Sequence, residues 1–489
     1  MTPKAPNILF VICDQMRSTA LGCAGVEKVL TPHLDAFAQQ GTRFTNAVSN
    51  TPACTPARAT LLTGKHILSH GLVNNDMQLG HGHQSLARCL TARGYGCGYI
   101  GKWHLDGVNR GAFVPPGPRR QGFDDFWAGV ECNHNYFGGY HYDEETRQPE
   151  WFDGYEPDGQ TDLAIDYIER KADAPSPFCL FLSFGPPHCP YQLVPEMYRA
   201  SYPDDTIGFL PNAVHATIQD PATRGKLAGP ADLAQEEHDA RKRRVIADYY
   251  AQVTALDACF GRLLACLDEQ GLADDTIIVF TSDHGDMLFS QNRGWKSKPW
   301  RESVGIPLLV RWPGRVPGAR VTNGPIGLVD LMPTLLRMTG TPIPEDVEGL
   351  DLSEFVGGNE AAATKSQYVN FPCMPAWFRD PEWRGVVTGE HTYIASREGP
   401  WLLYDDAADP FQLRNLVADP ASKGVVAELH AMVQDWLAQT NDPFDTSEQI
   451  ADRLCPGHVN CVLPNPPLEE AIRLGQRERM LQRAGRKPN

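Results

Sequence analysis

Two residue pairs able to hold a cation follow short apolar runs. Asp14-Gln15 closes "NILFVICDQ", and Asp283-His284 follows "TIIVFTS". Two carboxylates, an amide oxygen and an imidazole form a donor set of mostly oxygens. Such a set suits a hard divalent ion, namely calcium, magnesium or manganese. Each residue alone is explained as a cap or turn; four at two run ends point to a metal centre. Asp286, in the same "SDHGD", is expected to support that loop. Cys54 heads "CTPARATLLTG", which reads as a helix. A helix N-terminus attracts anions, and Arg58, one turn on, faces the same side. Ordinary thiol, metal ligand and altered residue all remain open for Cys54. Lys102 and His104 in "GYIGKWHLDG" are two apart, so an extended or turning segment projects both the same way. His188, held between prolines in "GPPHCPY", is a stiffly mounted imidazole able to donate a proton. Lys296 and Lys298 in "GWKSKPWRES" compete to supply one further cation, the other being a solvated charge. Asn74, Asn75 and Asp76 in "GLVNND" are explained almost as well by a polar turn.

These residues need a frame. The runs at 7–14, 95–102, 178–188, 275–286 and 306–314 lack polar alternation, as expected of strands buried on both faces of a parallel sheet. Helical patterns at 31–41, 83–94, 243–271 and 328–340 lie between them. Strands alternating with helices predict an α/β fold, a large central mostly parallel sheet flanked by helices. In such sheets ligands bind beyond the C-terminal strand ends, where the candidate residues fall. Residues 1–360 are read as this catalytic domain. After about 360, short strand patterns and a helical stretch at 421–440 predict a smaller C-terminal α+β subdomain over 361–440, with an antiparallel sheet. The tail, 441–489, is rich in Pro and charge and is expected to wrap the body or a neighbouring subunit, which makes a homo-oligomer an expectation.

The 489 residues include 42% hydrophobic and 21% charged types, an ordinary composition for a folded soluble chain. The formal net charge of −16 argues against nucleic acid or an anionic membrane as partner. It leaves room for a small anionic substrate in a locally positive pocket. No apolar window reaches the ~20 residues that span a bilayer. The N-terminal apolar run lacks the flanks of a secretory signal, so a cytoplasmic location is expected. The 13 cysteines are scattered without zinc-site spacing and read as buried reduced thiols. Cys455 and Cys461 are near enough in sequence to pair, though free thiols remain the simpler reading.

Cys54-Thr55-Pro56-Ala57-Arg58, with Leu62-Thr63-Gly64 downstream, resembles the C-x-P-x-R signature of the type I sulfatases. Around it, in matching order, stand "NILFVICDQ", "TPHLDAFAQQGTRFTNAVSNTPACTPAR", "GYIGKWHL", "PPHCPY", "TIIVFTSDHGD" and "LVDLMPTLL". The stretch "TYIASREGPWLLYDDAADPFQLRNLVADP" is similar to the C-terminal subdomain of the same family. The resemblance implies an alkaline phosphatase-like fold and a small-molecule sulfate ester, aryl or carbohydrate, as substrate. It implies that a formylglycine-generating enzyme oxidises Cys54 to formylglycine, whose hydrated aldehyde attacks sulfur and later expels sulfate by elimination. It also implies metal ligation by Asp14, Gln15, Asp283, His284 and residue 54, with calcium the usual ion. Arg58, Lys102 and Lys296 would hold sulfate and diol oxygens, His104 would assist the diol chemistry, and His188 would protonate the leaving oxygen. Lys296 is preferred to Lys298 because it stands four before Trp300. Many sulfatases carry adjacent acids and Asp-Asn where this chain has Asp14-Gln15 and Asp283-His284. The pairs found here also occur in choline sulfatases and phosphonate monoester hydrolases of the superfamily. Manganese or magnesium therefore stays an alternative to calcium, and phosphonate monoester or phosphodiester hydrolysis an alternative activity.

Overall fold

The computed structural model describes residues 5–107, 109–144, 146–213, 234–373 and 380–454. The apolar runs become strands of one sheet: β1 (Asn7–Asp14), β2 (Thr42–Phe44), β3 (Gly96–Lys102), β4 (Phe126–Val130), β5 (Phe178–Pro187), β6 (Thr276–Ser282), β7 (Leu308–Arg311) and β8 (Arg320–Thr322). Their order is β8-β2-β7-β6-β1-β5-β3-β4. All neighbours pair in parallel except β7, which runs against β6 and β2. The 306–314 run is thus not one of the parallel strands that its sequence suggested. An antiparallel return needs no crossover helix, which frees the connection after β6 to build a loop instead.

The lack of alternation in β1 has a direct cause. Ile8, Phe10 and Ile12 enter one core with Ala57, Leu61 and Leu62 of α2 (Cys54–Thr63), and with Leu331 and Leu335. Leu9, Val11 and Cys13 enter the other, with Phe37, Ala164, Tyr167, Leu256 and Phe260. Successive side chains point to opposite faces, and both faces are roofed by helices. Across the first core Phe10 stacks on Phe181 of β5 at 4.4 Å. The helix expected at 243–271 runs over Gln235–Glu269. Its added first turns are almost wholly polar, so apolar periodicity could not disclose them. The 83–94 pattern yields only Leu86–Thr91, capped by Ser85, whose hydroxyl accepts from Arg88 N at 3.2 Å.

Beyond the body, β9 (Ser366–Phe371), β10 (Trp383–Thr388), β11 (His391–Ser396) and β12 (Gly399–Asp405) form an antiparallel sheet in sequence order. One face packs on Leu429 and Val433 of the helix Lys423–Gln439. The other packs on Met287, Trp300 and Val304, which belong to the long connection after β6. Among the described residues no helix is long and apolar enough to cross a membrane. No two of the described cysteines form a disulfide with each other. Cys455, Cys461 and the tail from 455 onward lie outside the described residues.

Candidate active site

Parallel strands bring the chemistry to one edge. Asp14 ends β1, Lys102 ends β3, His188 follows β5, and Asp283-His284 follow β6. Cys54 is the first residue of α2, against the same edge. Ligand atoms of Asp14, Cys54, Asp283 and His284 all lie within 4.8 Å of one another, and all four residues are buried. Cys54 Sγ is 3.3 Å from His284 Nε2 and 3.7 Å from Asp14 Oδ1. His284 Nδ1 lies 3.0 Å from the Gly285 carbonyl, which can only accept. The proton is therefore on Nδ1, and the Nε2 lone pair faces the carboxylates. Gln15 is fixed similarly: its amide nitrogen donates to Asp286 Oδ2 at 2.7 Å, which turns Oε1 toward the pocket. Three oxygen-bearing side chains, a correctly turned imidazole and residue 54 fit a single divalent cation.

Cations press on this cluster from two sides. Lys102 Nζ donates to Asp14 Oδ2. Lys296 Nζ donates to Gln15 Oε1 at 2.8 Å, lies 3.3 Å from Cys54 Sγ, and donates to His188 Nε2 at 2.7 Å. Burial alone would raise the Asp14 pKa; the Lys102 ammonium first, and Lys296 with it, hold it well below the ordinary carboxylate value. Burial and the Asp14 charge likewise push the Cys54 thiol up, but Lys102, Lys296 and His284 outweigh them and bring it well below a free thiol. Asp283 stays raised, by burial first and Asp14 second, despite His284 and Arg58. A field that favours thiolate at residue 54 favours any anion there.

The structure adjusts several sequence expectations. The strand ends at Lys102 and the backbone turns through φ +57° at His104, whose Nε2 pairs with Asp76 Oδ1 at 2.9 Å. The His104 pKa is pushed up to about 9: burial opposes this, and Cys132, Asp76 and Cys54 overcome it. Arg58 faces the site but spends its donors behind it. Nε reaches Asp283 Oδ2 at 3.0 Å, and Nη1 reaches the Lys102 carbonyl and Ser183 Oγ, each at 2.7 Å. Its Nη2 is buried without hydrogen-bond geometry to any described group, though within ion-pair distance of Asp283. His188 Nδ1 lies 2.7 Å from the Cys189 carbonyl, so Nδ1 carries the proton and Nε2 accepts from Lys296. Burial, then Lys296 and His134, hold its pKa well below that of a free imidazole. As placed, the proton nearest the pocket is on Lys296.

Of the two lysines, Lys296 reaches the cluster; Lys298 Nζ instead donates to Asp380 Oδ2 at 2.8 Å. Asp286 accepts from Gln15 and from Tyr191 OH at 2.6 Å, a supporting place. The "NND" turn does more than its sequence suggested. Asn75 Oδ1 accepts from Thr55 N at 3.0 Å, and Asp76 carries His104 and a bidentate Arg110. His134 stacks on His188 with ring centroids 4.2 Å apart.

Two family models match the chain: Sulfatase over residues 6–341, and the N-sulphoglucosamine sulphohydrolase C-terminal model over residues 292–439. The chain is 36% identical over 450 residues to the ulvan-active sulfatase of Formosa agariphila, covering 91% of this chain and 84% of that protein. It is 27% identical to an endo-4-O-sulfatase of Bacteroides thetaiotaomicron, covering 92% and 95%. The crystal structure of yidJ from Bacteroides fragilis aligns with a TM-score of 0.77 at 30% identity, covering 92% of this chain and 98% of that one.

Proposed function

The chain belongs to the sulfatase family of sulfuric ester hydrolases, in the alkaline phosphatase superfamily, and on that premise we propose that it removes sulfate from a carbohydrate. The observation that carries this reading is the buried cluster of Asp14, Cys54, Asp283 and His284 with Lys102 and Lys296 beside residue 54. The carbohydrate part is supported by the names of its relatives, one active on ulvan and one an endo-4-O-sulfatase.

Residue 54, oxidised to formylglycine by a formylglycine-generating enzyme, would supply a hydrated aldehyde oxygen as nucleophile. Asp14, Gln15, Asp283, His284 and residue 54 would hold a divalent cation, calcium in our reading, which polarises ester oxygens. The chain's own side chains do the rest. Lys102 and Lys296 have pKa values raised above an ordinary lysine: burial opposes this, and Asp14 and Cys54 outweigh it. Both stay protonated and offer charge to sulfate oxygens. Arg58, bonded to Asp283 Oδ2 through Nε and ion-paired with it through Nη2, each at 3.0 Å, fixes that carboxylate beside residue 54. His104, oriented by Asp76, keeps Nδ1 buried without a hydrogen-bond partner, ready to exchange a proton with residue 54. The departing alcohol oxygen would be protonated through the His188–Lys296 pair, whose Nε2 and Nζ share a proton at 2.7 Å.

Parallel kinetics with a sulfated oligosaccharide, nitrophenyl sulfate and a nitrophenyl phosphonate ester test the reading. The oligosaccharide should give the highest kcat/KM. A phosphonate ester turned over faster than both sulfates would reverse the assignment. Intact mass of the peptide holding residue 54 reads formylglycine independently of turnover. Supplementing chelated protein with calcium, manganese or magnesium identifies the ion.

A further inference from the structure

Lys296 has contacts on three sides of the pocket, yet its own backbone is a poor anchor. The flanking residues, Trp295 and Ser297, have φ of +60° and +68°, and in the same loop Leu288, Phe289, Gln291 and Asn292 also have positive φ. Non-glycine residues occupy that region at an energetic cost and stay only where their surroundings hold them. Inside the loop Met287 N donates to the Trp295 carbonyl at 2.7 Å and Phe289 N to the Arg293 carbonyl at 2.9 Å, and three shorter-range backbone bonds link Ser290 to Met287, Asn292 to Phe289 and Arg293 to Ser290. Ser297 N donates to the Pro52 carbonyl at 3.0 Å, joining the loop to the turn before Cys54.

The strongest restraint comes from elsewhere in the sequence. Asp380, buried just before β10 of the C-terminal sheet, offers one oxygen to each flank of Lys296. Oδ1 lies 3.0 Å from Arg293 Nη2, and Oδ2 lies 2.8 Å from Lys298 Nζ. Arg293 is three residues before Lys296 and Lys298 is two after. One carboxylate thus pins both ends of a strained six-residue arch. It also engages two cations and offsets one of the two charges that would otherwise compete with Lys296 for the substrate's anion. The neighbouring Trp300 indole donates to Tyr404 OH at 3.1 Å, so the sheet supports the arch's far end as well.

We propose that Asp380 is a positioning residue for Lys296: by clamping Arg293 and Lys298 it holds the arch in the geometry that presents the Lys296 ammonium to the reacting ester. This rests on the sulfatase reading for its kinetic consequence, but the clamp itself does not.

Steady-state kinetics on nitrophenyl sulfate and hydrogen exchange of the peptide spanning 287–298 test it together. Asp380→Asn should lower kcat by ~10–100-fold with KM nearly constant, since misplacing a group that acts in the transition state costs turnover rather than binding. Asp380→Glu should recover part of the loss. Loop amides in Asp380→Asn should exchange faster by about tenfold or more. Lys298→Met removes one clamp and keeps the Asp380–Arg293 pair; it should show the same pattern at smaller size and serves where Asp380→Asn does not fold. Wild-type kcat and wild-type exchange in these variants would overturn the proposal, as would a kcat loss that merely follows the folded fraction. A wild-type enzyme inert toward every sulfate ester would instead sink the functional reading, and the exchange data would still decide the clamp.

Discussion

Two of the charge clusters buried among the described residues are built to opposite rules. In the C-terminal sheet Arg384 meets Asp442: Nη2 donates to Oδ1 at 2.9 Å, Nε donates to Oδ2, and Tyr368 OH donates to Oδ2 at 2.9 Å. Phe444 N adds a fourth bond at 2.9 Å, and the Phe444 ring covers the guanidinium at 4.6 Å. One cation meets one anion, and the carboxylate's lone pairs are taken. At the sheet edge, Asp14 and Asp283 are crowded together with Cys54, Lys102, Lys296 and Arg58. There Asp283 is pushed toward protonation, by burial first and then by Asp14, the second carboxylate in the same site. The first cluster balances its own charges and contributes to the fold. The second crowds like charges together at a cost in stability, an arrangement that serves the site rather than the fold.

The contrast can be broken at either end. The largest effect is expected at residue 54: Cys54→Ala should abolish sulfatase turnover by ~10⁴-fold or more while leaving the unfolding midpoint close to wild type. Next comes Asp442→Asn, which leaves Arg384 buried and unpaired. Denaturant titration should show a loss of ~3–5 kcal/mol, with turnover per folded molecule unchanged. If Asp442→Asn instead lowered turnover without lowering stability, the division of labour drawn here would be wrong. Lys296→Met should cost ~10²–10³-fold in turnover with little change in stability, the reverse signature. The smallest effect concerns His66, whose ring contacts Tyr368 and Trp436 while its chain follows directly from α2. Burial first lowers its pKa to about 4, and that of nearby His70 to about 3. Their folded pKa values lie below the unfolded ~6.5, so the unfolded chain binds more protons in acid. Stability should be full above pH 6.5 and fall by about 2 kcal/mol per histidine by pH 5. His66→Gln should remove part of that acid slope in a pH series of denaturant melts.

What the sequence disclosed follows from where its signals lie. Asp14-Gln15 and Asp283-His284 stood out because each closes an apolar run, and β1 and β6 are neighbours in the sheet, so the pairs had to meet. The Cys54–Arg58 spacing and the C-terminal antiparallel sheet were legible for the same local reason. Asp76 and Asp380 were not, because their meaning lies in partners 28 to 87 residues away that no spacing rule links. The protonation of His188 was hidden too: it depends on one carbonyl and one lysine, not on the residue's type. Strand β7 was misjudged because a short apolar strand reads alike in either direction.

Cys54 is 1% exposed and opens a helix buried along its whole length. Another protein's active site cannot reach such a side chain without unfolding α2 from the sheet. Whatever chemical form residue 54 has when the chain closes, it keeps. A preparation containing both thiol and aldehyde is then two populations that do not interconvert, alike in fold and unlike in competence. Its specific activity is a census of its history, read out as a rate.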